Sequence, residues 1–317
     1  MTMNARRTAL SLMALTIVGA AAWVLHGTLR GISVDELIAA LRGTPIDRLA
    51  LAAVATAMSF AALGWYECFA TRVVAPGRVR GRDAMFIGMV SHAVANTLGF
   101  HVLTGTALRV RLFGRLGLGV ADVARLITIV GVCVGLGSIT MLAVALAFAP
   151  DAFAGGRAAG AACLLVLLAA LAFFPTLANR LRRRHAGVPT LDRRAVVAPI
   201  AMGVVEAGAA VTAFYVLLPA DARPGFALVA AVFIGAMLLG VLSHAPGGVG
   251  VFEATVLTAF PPTSHAHVLA GLLLYRLFYN LLPFALAVLA LSIHELRARR
   301  ARTCTGADAA TRQLDGG

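Results

Sequence analysis

Long apolar runs alternate with short, arginine-rich polar segments along the whole chain. An apolar run of about 20 residues is long enough to cross a bilayer as a helix. By that measure the sequence predicts full spans over Ala9–Leu29, Asp47–Val74, Val120–Phe148, Ala158–Leu177, Ala195–Leu218 and His267–Ile293. Two further apolar regions do not read as simple spans. From Ala84 onward, Ser91, His92, Asn96 and Gly99 interrupt the run, and Arg109, Arg111 and Arg115 follow it. From Phe226 to Phe260, the stretch Ser243-His244-Ala245-Pro246-Gly247-Gly248-Val249-Gly250 separates two runs that are each too short to span. Proline removes a backbone donor, and glycine permits angles that other residues resist. Each region predicts a re-entrant hairpin, the first open to the inside and the second to the outside. Between the first two spans, Ser33 and Glu36 form a capping-box pattern, and Leu37, Ile38 and Leu41 share one face. That segment predicts a short amphipathic helix on the outer surface. The fold class is an all-α polytopic membrane protein with about six full spans plus two re-entrant hairpins.

Composition supports this class. The chain has 317 residues, of which 60% are hydrophobic and 13% charged, and no large soluble domain fits between the runs. Residues 1–293 read as a single transmembrane domain, and 294–317 as a basic, disordered cytoplasmic tail. The net charge of +13 is carried by arginine alone, because the sequence contains no lysine. In a membrane protein such an excess is the positive-inside signal, so no nucleic-acid partner is expected. The topology places 21 of the 27 arginines inside, including those of the Arg180–Arg194 loop, and puts both termini in the cytoplasm. Arg6-Arg7 before the first run reads as the flank of a start-anchor helix. Cys68, Cys133, Cys163 and Cys304 show no pairing pattern, and no disulfide is expected.

The hairpins and their flanking spans run in opposite senses, which raises an inverted repeat, a plan that transporters use with the site at the midplane. Ser91-His92-Ala93 in one hairpin and Ser243-His244-Ala245 in the other give it slight support. Ionisable groups inside the membrane are candidates for function. Glu253 follows the Pro246-Gly247-Gly248-Val249-Gly250 break, where loose backbone amides and a carboxylate would line a pocket. Arg276 lies within the last span and shares a helix face with Asn280, ahead of a kink expected at Pro283. A charged arginine there costs about 3 kcal/mol by insertion scales, so it needs a carboxylate, a wet cavity or a ligand phosphate. A planar fork of donors suits phosphate. The plainer alternative is a structural Arg276–Glu253 ion pair. Arg109 and Arg111 belong to the cytoplasmic mouth, holding a lipid headgroup or anchoring the hairpin end. Glu67 and Glu206 occupy equivalent spans of the repeat, each as an ion or proton site or as a hydrogen-bonded structural carboxylate. His92, His101 and His244 lack metal-ligand spacing, so no metal is expected, and nothing calls for a cofactor. No catalytic constellation is present, and no enzymatic activity is expected.

Three blocks carry a family resemblance: Ser91–Gly99 running into Gly105-Thr106-Ala107-Leu108-Arg109-Val110-Arg111-Leu112-Phe113 with Leu116-Gly117-Leu118; Pro246–Glu253; and Tyr275-Arg276-Leu277. Together they resemble the transmembrane, flippase-like region of bacterial lysylphosphatidylglycerol synthases, the multiple peptide resistance factors, and their stand-alone relatives. The resemblance implies a multi-pass protein of the bacterial inner membrane that moves lipid between leaflets. In the best-known members that lipid is an aminoacylated phosphatidylglycerol. Those members also carry a soluble aminoacyltransferase domain, whereas only His294–Gly317 follows the last span here. The expected function is translocation of an anionic or aminoacylated phospholipid, contacted by Arg109, Arg111, Pro246, Gly247, Gly248, Gly250, Glu253, Arg276 and Asn280. In that reading Glu253 pairs with the lipid's ammonium and Arg276 with its phosphate. The alternative is a non-transporting membrane partner that docks a separate aminoacyltransferase or envelope enzyme through its arginine-rich cytoplasmic face.

Overall fold

The computed structural model describes residues 34–98, 101–149, 155–184, 193–219, 223–242, 250–261 and 265–296. Among them every regular element is helical: α1 (Val34–Gly43), α2 (Ile46–Val74), α3 (Gly81–Leu98), α4 (His101–Arg115), α5 (Val120–Phe148), α6 (Gly156–Arg184), α7 (Arg193–Leu217), α8 (Phe226–Leu242), α9 (Val251–Thr258) and α10 (His265–Tyr275). A π-helical turn, Arg276–Leu281, then leads into a last helix, α11, over 282–296.

Five described stretches are long and apolar enough to cross a membrane: α2, α5, Gly156–Phe173 of α6, Val196–Leu217 of α7, and His267–Leu296. They match the predicted spans closely, and the chain is a multi-pass membrane protein. The predicted span Ala9–Leu29, Ser33 of the capping pattern, most of the Arg180–Arg194 loop and most of the tail lie outside the described residues. α2 begins directly after Pro45, whose fixed φ suits a helix start, with Asp47 in its first turn. It ends just before Pro76, since the residue ahead of a proline is pushed out of helical angles. At about 1.5 Å per residue, its 29 residues exceed a hydrocarbon core of about 30 Å.

α2, α5 and α7 pack on one another at the centre of the bundle. α6 leans on α5 and keeps nearly all of its apolar surface outward. α3 packs on α4, and α8 on α9, the helix–break–helix arrangement expected of two hairpins. The breaks themselves, Gly99-Phe100 and Ser243–Val249, lie outside the described residues. α1 packs against α10, so the amphipathic helix has a partner within the protein.

Close packing is made by small residues, as in other membrane bundles. A Cβ on Gly203 would stand 2.4 Å from the Cα of Gly137, so α5 and α7 meet backbone to backbone. A Cβ on Gly88 would stand 2.8 Å from the Cβ of Glu67. That contact brings α3 against α2 at the level of a buried carboxylate.

Candidate functional site

Charged and polar side chains inside the bundle form three clusters. The first joins α2, α3 and α4. Glu67 is fully buried on α2, and Arg109 on α4 clamps it with two parallel bonds, Nε to Oε1 at 2.7 Å and Nη2 to Oε2 at 3.1 Å. Arg109 Nη2 also lies 3.0 Å from Nε2 of His92 on α3. Arginine has no acceptor, so it donates and that imidazole nitrogen accepts. A Cβ on Gly105 would come within 2.9 Å of Arg109 Nη1, so the glycine makes room for the guanidinium.

The second cluster lies where α2, α7 and the π turn meet. Ser59 donates to Glu206 Oε1 at 3.1 Å, and its oxygen lies 2.7 Å from the Tyr279 hydroxyl. Tyr279 also reaches Glu206 Oε1, at 3.4 Å. Among the described residues Glu206 thus has hydroxyl partners and no cation.

The third cluster closes the second hairpin onto the last span. Gly250 has φ of +87°, a backbone state that favours glycine, and it caps α9. Its N–H donates to Glu253 Oε2 at 2.7 Å, while Oε1 accepts Nε of Arg276 at 2.6 Å and also Nη2 of the same side chain. Neighbouring rings hold the pair in place. Phe252 stacks on Tyr275 at 6.3 Å, and Tyr275 on Tyr279 at 4.9 Å. Phe233 of α8 meets both Phe252 and Tyr275 edge-on.

Arg276 opens the π turn, and Pro283 follows it. Proline cannot donate to the carbonyl four residues back, so the α-helical ladder cannot run through this point. The kink expected at Pro283 therefore takes the form of a π turn ahead of it, a feature frequent at functional sites. α3 holds the turn in place: Thr97 donates to the Asn280 carbonyl at 3.0 Å, and the Asn280 amide donates to the Asn96 carbonyl at 3.2 Å.

The predicted site residues therefore separate. Gly250, Glu253 and Arg276 come together, with Asn280 in the same turn but bonded to α3. Pro246, Gly247 and Gly248 lie outside the described residues. Arg109 is not at an open mouth; it is buried against Glu67, because α4 turns that face inward. Glu67 is correspondingly an ion-pair partner rather than an open ion or proton site. Arg111, on α4, reaches the end of α11, 3.5 Å from Glu295, which also bonds Arg115 at 2.9 Å. Ser59 escaped the sequence reading, although a polar residue two turns before Glu67 on an apolar helix was the available signal. Among the described residues Cys68, Cys133 and Cys163 are free thiols.

Residues 11–287 match the family of the lysylphosphatidylglycerol synthase TM region. The chain belongs to this family. Among its relatives is an uncharacterized protein of Synechocystis, slr0712, 28% identical over 224 residues, which covers 68% of this chain and 70% of that one. Another is the inner membrane protein YbhN of Escherichia coli, 24% identical over 257 residues, covering 77% of this chain and 79% of that one. The family match includes both hairpins and all three polar clusters. The clusters differ in access: the Arg109 and Glu67 side chains are 6% and 0% exposed, those of Arg276 and Glu253 11% and 19%. The latter pair is the more exposed of the two.

Proposed function

We propose that this family member translocates phospholipid between leaflets of a bacterial inner membrane, with the Glu253–Arg276 pair as the central polar contact. The observation that carries the reading is this partly accessible charge pair, mounted on a broken element and a π turn within a span. A headgroup bearing both phosphate and ammonium could exchange with it charge for charge, the phosphate taking Arg276 and the ammonium taking Glu253. No charge would then be left bare in the low-dielectric interior, where an uncompensated ion is costly. The guanidinium fork suits two phosphate oxygens. An anionic headgroup without an amine would engage Arg276 but leave Glu253 to its Gly250 amide. Aminoacylated lipid is therefore the better match. At the cytoplasmic side Arg111 and Arg115 face the headgroup level. Arg109 positions α4 through Glu67.

The test is leaflet exchange in liposomes containing the purified chain, with labelled lysyl-phosphatidylglycerol beside labelled phosphatidylglycerol. Exchange is expected to fall about tenfold or more in Arg276→Ala, the loss that a missing charged hydrogen bond produces. In Glu253→Gln the preference for the amino lipid should narrow. Folded protein that exchanges neither lipid would overturn the reading and direct attention to a docked aminoacyltransferase or envelope enzyme, sought by pull-down from native membranes.

A further inference from the structure

A cleft separate from the central pair runs between α3 and α11, and its two parts are adjoining cavities that share lining residues. Its more polar part, about 530 Å³, sets Asp83, Arg115 and His294 among a majority of apolar side chains, Phe86 and Ala290 included. Its apolar part, about 300 Å³, shares Phe86 and Ala290 and continues along α2 past Ala57 and Phe60 to Phe278 and Leu286. One end is thus charged and the other almost wholly hydrocarbon.

Its length is informative. The cleft follows α3 from Asp83 to Ala93, ten residues or about 15 Å at helical rise. That is half of a hydrocarbon core of about 30 Å, the depth of one leaflet. The charges at the polar end are of both signs. The Asp83 carboxylate has no ion-pair partner among the described residues. Across the cleft Arg115 lines the wall and shares the carboxylate of Glu295 with Arg111, which stands outside the lining, so this side has more guanidinium than carboxylate. His294 lies flat on Phe86 at 5.8 Å and forms a wall where the two parts join.

We propose that this cleft binds one inner-leaflet phospholipid whose headgroup carries both a phosphate and an ammonium group. The phosphate sits at Arg115, the ammonium at Asp83, and one acyl chain in the apolar part. The proposal rests on the lipid-translocation reading and names the site at which the lipid is held before it moves. It is distinct from that reading in being a property of equilibrium binding.

The experiment is native mass spectrometry of the delipidated full chain with phosphatidylethanolamine, set against the same lipid N-acetylated to remove its positive charge. The unmodified lipid is expected to bind about tenfold more tightly, the effect of one charge-assisted contact. Ala290→Trp, at the junction of the two parts, should lose binding about tenfold or more. Leu289→Trp, on the exposed side of the same helix, should bind as the wild type does. Asp83→Asn should erase the preference between the two lipids. If Ala290→Trp does not fold, Ala57→Leu narrows the apolar part instead and should also weaken binding. Equal binding by the blocked and control variants, or a preference that survives Asp83→Asn, overturns the proposal. Binding that stands while liposome exchange is absent would sink translocation and leave this site. Exchange that persists when Ala290→Trp has abolished binding would overturn the placement of this site on the path of translocation.

Discussion

Replacing Glu67 with alanine is expected to destabilise the folded protein by about 3–5 kcal/mol, the cost of stranding one member of a buried ion pair. The Arg109 guanidinium would keep only His92 and would lie among apolar helices with no carboxylate. Against a typical total stability of about 5–15 kcal/mol, such a loss should be plain in unfolding of the detergent-solubilised protein. Arg109→Met should cost a similar amount, because it leaves the carboxylate unpaired instead. The double variant Glu67→Ala/Arg109→Met should recover most of the loss, since no charge is then left alone. A double variant as unstable as the sum of the two singles would show that the two residues act independently and would remove the pair from the account of how α4 is held.

Gly203→Ala should rank beside it. The new Cβ would meet the Cα of Gly137 at 2.4 Å and the Tyr66 hydroxyl at 2.7 Å. The first neighbour is backbone and cannot turn aside, so α5 and α7 must separate. Tyr66 would be pushed from its bond to the Pro199 carbonyl, now 3.3 Å. Overpacking usually costs about 1–3 kcal/mol, and a clash with backbone belongs at the upper end, about 3 kcal/mol. Gly208→Ala is the control on the same helix, because a Cβ there meets nothing within 4 Å. It should be neutral or slightly stabilising, as alanine is the better helix former. Equal unfolding midpoints for the two variants would contradict the backbone contact.

The spans were legible because hydrocarbon thickness imposes a length that composition records directly. Val120–Phe148 is one helix from end to end as read, and the other described spans agree within a few residues. The hairpins were legible for a related reason, since two short apolar runs around a breaker cannot both cross. The pairing of charges was not. A sequence indicates how deep a residue lies and which helix face it shares, but not what stands opposite. Glu67 and Arg109 lie 42 positions apart and meet only because Gly88 and Gly105 let three helices close. Arg109 and Arg111, two residues apart, point to different sides: one is buried in the bundle and the other reaches Glu295 at the end of α11. The positive-inside rule places both on one side of the membrane and carries no information about this division. Arg276 and Glu253 were paired as the plainer alternative, and they do meet. The π turn gave no signal beyond Pro283, because wide and ordinary helical turns differ by one residue and not in composition.

That one residue has a reach far beyond its own turn. A π turn closes i to i+5, so it takes up one position more than the α-helical ladder around it. Deleting a single residue between Leu277 and Leu281 would let the helix run on as an ordinary α-helix. Everything from Pro283 to Leu296 would then turn by about 100° and shift by about 1.5 Å. Glu295 would swing away from Arg111 and Arg115, and Leu286 and Ala290 would leave the wall facing α3. The turn therefore works as a phase setting for the end of the chain: the side that α11 presents at one membrane surface is chosen some 20 Å away, next to Arg276.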